Sequence, residues 1–302
     1  MAEPDAINPS FVQAGEKSVP TLKDCCSWIH REHLVFLCGL RGLCGKTEMF
    51  GMKTFCAALS FLTIVPLPPG WAGGEKELCR SVWFFPAVGM VIGAAAAVWA
   101  LAAAAVFPPL LAAATMALFL VLASGGLHLD GLADTMDGLM SARPRERALE
   151  IMRDSRIGTM GVLGVTGCLL LKVTALAGAA PKLWPAAVFL MPLSGRFAIL
   201  VMMSLLEYAR DDGGLGTVFS KDVSAIRWSA VTGLVLFFTA SVILLGVAGA
   251  VGAFLTLAFA LAFCRYLNNR IGGYTGDTLG AICELSEILP ALVAAAITKG
   301  GA

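Results

Sequence analysis

Charged side chains are scarce in this sequence: Asp, Glu, Lys and Arg make up 14% of its 302 residues, against 58% hydrophobic ones. A soluble domain carries about a quarter charged residues. The shortfall excludes an ordinary solvated surface and points to apolar runs that face lipid. Histidine is rarer still, and the three present (His30, His33 and His128) have no metal-binding spacing. None of the nine cysteines forms a CxxC pair, and several sit inside apolar runs, where cysteine acts as a small hydrophobe. A structural zinc site and a disulfide framework are thereby excluded. The net charge of +1 gives no basic excess of the kind that binds nucleic acid. The first residues do not read as a secretory leader, since no clean apolar core and cleavage site follow a basic start.

What is present divides at Met52. Residues 1–51 are mixed in texture, with Pro4, Pro9 and Pro20, and the stretch Trp28 to Leu43 is broken by Arg31, Glu32, His33 and Arg41. They read either as a cytoplasmic extension or as a misassigned start, with translation beginning at Met49 or Met52. Residues 52–302 read as one integral membrane domain. Apolar runs at about 84–106, 110–129, 158–178, 184–206, 229–246, 249–266 and 281–298 each approach the roughly 20 residues that cross a bilayer. The expected fold is all-α, a polytopic bundle of about seven spans. Phe55–Leu67, shorter and closed by prolines, is expected to be a re-entrant or interfacial segment.

Basic residues set the orientation. The 141–157 loop holds Arg143, Arg145, Arg147, Arg153 and Arg156, the densest basic stretch, and is expected on the cytoplasmic side. Parity then places the 70–83, 207–228 and 267–280 segments, which carry the other basic clusters, on that same side. The turns at Phe107–Pro109 and 179–184 fall on the far side.

The second run leads into Asp130, Asp134 and Asp137, spaced i, i+4, i+7. On a helix, at about 100° per residue, these share a narrow arc. Three aligned carboxylates repel unless a cation sits among them, and all-oxygen ligation suits Mg²⁺ or Mn²⁺. The bland alternative, a polar helix end meeting water, explains neither the single sign nor the flanking Gly131 and Gly138. Downstream, Arg153 and Arg156 offer guanidinium forks to phosphate, and a glycine-rich helix start at Gly158–Gly161 offers backbone N–H groups. The other arginines of this loop read as positive-inside residues. A second acidic cluster, Asp277, Glu284 and Glu287, opens the last span. Glu284 and Glu287 enter apolar sequence, where a lone carboxylate is costly. A second metal, a substrate cation, or Lys172 and Arg196 from other spans are the candidate partners. A buried structural ion-pair network is the bland reading.

With these residues in view, the sequence resembles the cobalamin synthase family, the adenosylcobinamide-GDP ribazoletransferases. The matching pieces are FCAALSFLTIVPLP at Phe55–Pro68, FFPAVGMVIG at Phe84–Gly93, HLDGLADTMDGL at His128–Leu139, MRDSRIGTMG at Met152–Gly161, PLSGR at Pro192–Arg196 and GGYTGDTLGAICELSE at Gly272–Glu287. The resemblance implies transfer of the cobinamide phosphate of adenosylcobinamide-GDP to α-ribazole or its 5′-phosphate. Adenosylcobalamin or its phosphate forms and GMP leaves. It also implies a Mg²⁺ requirement and a place in the cytoplasmic membrane, with the active site facing the cytoplasm. The chemistry is similar to that of CDP-alcohol phosphotransferases. Asp134, Asp137 and Gly138 fit the first part of their motif, but Ser141-Ala142-Arg143 is displaced by one residue and the later half is absent.

The mechanism expected on this basis gives Mg²⁺ to Asp130, Asp134 and Asp137 and the neutralisation of GMP to Arg153 and Arg156. Asp277 or Glu284 takes the proton of the attacking ribose hydroxyl. His128 and Arg196 complete the substrate-binding set, with capping of the motif helix as the alternative for His128. A lipid phosphatidyltransferase and an ion-coupled transporter are the rival readings. A homo-oligomer is left open.

Overall fold

The computed structural model describes residues 50–210, 219 and 222–300. The extension expected at 1–51 lies almost wholly outside the described residues. Ten α-helices follow one another among the described residues: α1 Phe50–Leu62, α2 Glu75–Arg80, α3 Phe85–Val106, α4 Pro109–Ala123, α5 Leu127–Met140, α6 Arg145–Ile151, α7 Thr159–Gly178, α8 Trp184–Leu205, α9 Val223–Ile271 and α10 Gly276–Gly300. The all-α expectation holds. Five helices are long and apolar enough to cross a membrane, or six when α4 and α5 count as one bent span. The chain is thus a multi-pass membrane protein by length and composition. α1, with 13 residues, reaches only about 20 Å and is too short to span alone, as its sequence implied.

Burial separates the helices into a centre and a shell. In α8, 89% of the apolar window is buried, whereas in α9 the share is 17%. A helix apolar on every side is the one a bundle encloses. α3, α9 and α10 pack around α8. Close approach to α3 depends on Gly89 and Gly93, whose Cα atoms face the backbone of Leu193 and of Phe189. Small residues at such crossings let membrane helices pack backbone to backbone. The outward side of α9, with Ile243, Val247 and Phe254, is apolar and exposed, as a lipid-facing surface is.

One span differs from the sequence reading, and the pair expected at 229–246 and 249–266 shows its division. The run 110–129 is not one straight helix feeding the aspartate motif. α4 stops at Ala123 after 15 residues, about 22 Å, short of a bilayer's hydrocarbon thickness. Ser124-Gly125-Gly126 then turns the chain by 91° into α5. Gly125 and Gly126 both take positive φ (61° and 73°), a conformation that costs glycine nothing and other residues a good deal. The stretch 229–266 forms a pair of arms within α9. Gly246, at φ 61° and ψ −140°, breaks the helix, and Gly249 packs on the Ser241 carbonyl eight residues back. In an unbroken helix those residues stand about 12 Å apart.

The basic loops meet at one end of the bundle. Arg145 donates to the carbonyls of Ile271 (2.7 Å) and Ala209 (2.9 Å), and Arg270 donates to the Arg143 carbonyl (2.8 Å). Tyr208 and Tyr274 form a parallel bridge flanked by Ala209 N–H to the Tyr274 carbonyl and Tyr274 N–H to the Glu207 carbonyl. Ser229 donates to the Val82 carbonyl at this end too. At the other end the Ala180 N–H donates to Thr298 Oγ1. The parity argument therefore grouped the loops correctly.

Candidate active site

The two acidic stretches, more than a hundred residues apart in sequence, meet where α5 crosses α10. A Cβ placed on Gly131 would lie 2.7 Å from the Asp277 carbonyl oxygen and 3.2 Å from Gly280 Cα. One placed on Gly280 would lie 2.8 Å from the His128 carbonyl. The glycines at this crossing are therefore a packing requirement. They bring the first turn of α10, with Asp277, against α5 at His128 and Gly131, next in sequence to Asp130. Asp130 is exposed, Asp134 is buried at 9% exposure, and the Asp277 side chain is about one-fifth exposed. Asp277 Oδ2 accepts from Arg210 Nη2 at 2.8 Å.

Asp137 is placed differently from its two motif companions. Its Oδ2 accepts the Gly158 N–H at 2.7 Å and its Oδ1 the Gly161 N–H at 2.8 Å. The carboxylate thus occupies the helix N-terminus that the sequence offered as an anion site. It satisfies backbone donors that the first turn of α7 leaves free and sits at the positive end of the helix dipole. The arginine loop hangs from this anchor. Arg156 turns back to Asp154, with Nε to Oδ1 at 3.0 Å and Nη2 to Oδ2 at 2.7 Å. That fork pulls the Asp154 carboxyl down to about 2. Arg156 therefore points to solvent and its neighbour, while Arg153 stands at the rim of a cleft with Arg145 and Arg210.

Deeper in the bundle lies a closed ion-pair network. Lys172 Nζ of α7 reaches Glu284 Oε2 (2.6 Å) and Glu287 Oε2 (2.7 Å) of α10, and Arg196 Nη1 of α8 reaches Glu287 Oε1 (2.7 Å). All four side chains are at most 4% exposed. Two positive and two negative groups balance, which is the condition for charges to persist away from water. Of the candidate partners for Glu284 and Glu287, Lys172 and Arg196 are the ones found, the bland reading of this cluster, and it leaves Glu284 and Arg196 away from the base and substrate-binding roles expected of them. Glu284 is thus held by a lysine within the bundle, and Arg196 by a glutamate. His128, at 4% exposure, is buried at the α5–α10 crossing, and α5 starts from left-handed Gly126 with no side-chain cap. Neither reading of His128 is carried by this placement. Among the described residues, no three His, Cys, Asp or Glu side chains stand close enough to enclose a metal ion.

Residues 54–295 match the family described as cobalamin-5-phosphate synthase. The chain belongs to that family. Its relatives include proteins named adenosylcobinamide-GDP ribazoletransferase. The one from Brevibacillus brevis is 38% identical over 245 residues, 80% of this chain and 97% of that protein. The one from Escherichia coli is 39% identical over 241 residues, 78% of this chain and 97% of its own length. The Acetivibrio thermocellus protein is 36% identical over 236 residues, 78% and 94%. No solved structure matches this chain. Arg210 and the bracing role of Arg145 escaped the sequence reading. Arg145 looked like one of several positive-inside residues, and nothing in the spacing of Arg210 linked it to Asp277, 67 residues on.

Proposed function

We propose that this chain is a membrane transferase of cobalamin synthesis, moving the cobinamide phosphate of adenosylcobinamide-GDP to α-ribazole or its 5′-phosphate with release of GMP. Family membership supports the activity. The packing of Gly131 against Asp277 and Gly280 supports locating it at the α5–α10 crossing. It sets two carboxylate-bearing helices side by side at the basic end of the bundle.

Mg²⁺ fits the donor chemistry of α5. It binds through one or two carboxylates, keeps several waters, and takes phosphate oxygens of a substrate. Asp130 and Asp134, one turn apart, are the pair that would hold it, since the Asp137 oxygens already accept two N–H groups. When bound, the ion would share the charge of the diphosphate and of the departing GMP. Asp277 is the proposed general base. It opens α10 beside Gly131, Arg210 orients it through Oδ2, and its role would be to take the proton of the attacking ribose hydroxyl. Arg153 supplies positive charge to the phosphates from the cleft rim. Glu284 and Arg196, locked to Lys172 and Glu287, hold the helices in register and contact no substrate. The basic end is taken to face the cytoplasm, where nucleotide substrates reside.

A GMP-release assay on purified protein tests this reading. Each acceptor is supplied with and without Mg²⁺, beside CDP-diacylglycerol as a rival donor. GMP should form from the corrinoid donor and no CMP from CDP-diacylglycerol, and GMP release should cease with a chelator. Asp134→Asn should lower kcat by about a hundredfold or more, the scale of removing one charge-stabilising group. Release near the parent rate from that variant in Mg²⁺ would end the metal assignment.

A further inference from the structure

Between the end of the aspartate helix and the start of α10 the chain closes a reciprocal clasp. α5 ends at Met140, and the turn 141–144 sends the chain back into α6. Ala142 in that turn takes φ 52°, in the left-handed region that a residue with a Cβ enters only at a cost. Among the described residues it is the one non-glycine position with positive φ. Such a conformation persists where the surrounding bonds over-determine it. Here the bonds come from both sides. Arg270, in the last turn of α9, donates to the Arg143 carbonyl at 2.8 Å. Arg145, the first residue of α6, donates through Nε to the Ile271 carbonyl at 2.7 Å. Each segment thus holds the backbone of the other through an arginine.

From Arg145 the clasp runs on to Asp277. Arg145 Nη2 donates to the carbonyl of Ala209 at 2.9 Å, and the next residue, Arg210, donates through Nη2 to Asp277 Oδ2 at 2.8 Å. The Tyr208–Tyr274 bridge joins the same two segments, and Gly273 packs against the Glu207 carbonyl. The third nitrogen of Arg145, Nη1, stands 3.9 Å from Glu146. Nε and Nη2 are given to backbone carbonyls and Nη1 faces a carboxylate, so the guanidinium is committed within the protein. We propose that Arg145 is a positioning residue, which sets Asp277 against the aspartates of α5 by holding the α9–α10 connection and by presenting Arg210 to Asp277. The inference rests on the transferase reading above, with Asp277 as the base, and adds to it a residue that touches neither substrate nor reacting atoms. A carboxylate misplaced by about 1 Å can cost about a hundredfold in rate, so the effect of Arg145 belongs in kcat.

The test measures kcat and KM for GMP release in Arg145→Gln, Arg145→Lys, Arg210→Gln and the double variant Arg145→Gln with Arg210→Gln. Arg145→Gln should lower kcat about tenfold or more and leave the KM of donor and acceptor within about twofold of the parent's. A lysine can still reach one of the two carbonyls, so Arg145→Lys should recover part of the loss. The double variant should lose far less than the product of the two single losses, because a residue that acts through another has little left to lose once that other is gone. Losses that multiply overturn the proposal. So does an unchanged kcat in Arg145→Gln, or a raised KM at the parent's kcat, which would make Arg145 a substrate contact. Should Arg145→Gln fail to accumulate in the membrane, Arg145→Lys takes its place in the cycle with Arg210→Gln, and a kcat equal to the parent's in it, or losses that multiply, then overturn the proposal. Two other failures are read from different proteins: no GMP release by the parent ends the transferase reading, and parent-like release by Asp277→Asn ends the assignment of the base.

Discussion

Asp137 shows how one residue in a motif can hold a different task from its neighbours. Asp130, Asp134 and Asp137 are equivalent by spacing, but only Asp137 reaches the N-terminus of α7, where it accepts the Gly158 and Gly161 N–H groups. Gly158 and Gly161 have no room for a Cβ, because the Asp137 carboxylate fills that space. Hydrogen bonds to a charged acceptor are worth about 1.5–3 kcal/mol each. Asp137→Asn keeps one good acceptor and turns an N–H₂ toward the other donor. We expect it to lower the melting temperature in chelator, with no divalent ion present, and to lower activity through a loosened arginine loop. Asp134→Asn should leave the metal-free melting temperature much closer to the parent's. Equal melting of Asp137→Asn and parent in chelator would return Asp137 to the metal-binding group. Arg156 is a parallel case. Its bidentate pair with Asp154 is exposed and draws that carboxyl down to about 2. A depressed carboxyl contributes stability above the ordinary carboxylate range and loses it as pH falls through about 2. The pair therefore keeps its charges throughout the neutral range.

At the scale of elements, α7, α8 and α10 are clamped by Lys172, Glu284, Glu287 and Arg196. The clamp and the proposed site share α10: Asp277 lies in its first turn and Glu284 two turns further along the same face. A register error in α10 would displace both together, so the network sets the position at which Gly280 meets His128 and Gly131 meets Asp277. Removing one partner of a buried ion pair typically costs about 3–5 kcal/mol, because the survivor stays charged or must be neutralised. Lys172→Met is expected to destabilise the detergent-purified protein on that scale in thermal melting. The double variant Lys172→Met with Glu284→Gln should recover part of the loss, since one stranded charge is then gone. A single variant that melts with the parent would show that water reaches the network. The break between α4 and α5 acts at the same scale. By turning the chain through 91°, Gly125 and Gly126 let α5 lie against α7 and α10 instead of continuing along α4.

For the whole molecule, the decisive property is polarity of ends. Loops carrying Arg143, Arg145, Arg210 and Arg270 are tied to one another at one end, while Ala180 and Thr298 meet at the other. Orientation in the membrane can be read with single reporter cysteines against the parent background. Ser155→Cys should react with an impermeant maleimide from the cytoplasmic side, in inverted vesicles, and Lys182→Cys only from the opposite side. Labelling of both from one side would contradict the proposed orientation and the span count beneath it.

The sequence by itself determined the solvent of this protein. A charge content of 14% and repeated apolar runs leave no soluble alternative, and the basic loops sorted themselves to one end because lipid admits only closed helical segments between them. It also showed that Glu284 and Glu287 need a cation, since a lone carboxylate in an apolar span is costly, but left a metal, a substrate cation and Lys172 with Arg196 as equal candidates. Tertiary structure alone decided the rest. Spacing along a helix says which side chains share a face, not what that face meets, so Asp137 could be told from Asp134 only once α7 was in place. The joining of Arg210 to Asp277 and the bracing of three loops by Arg145 depend on contacts across 64 to 126 residues, which no local pattern encodes. The 91° turn hinged on two consecutive glycines taking positive φ, a choice the backbone permits but packing against α7 and α10 enforces.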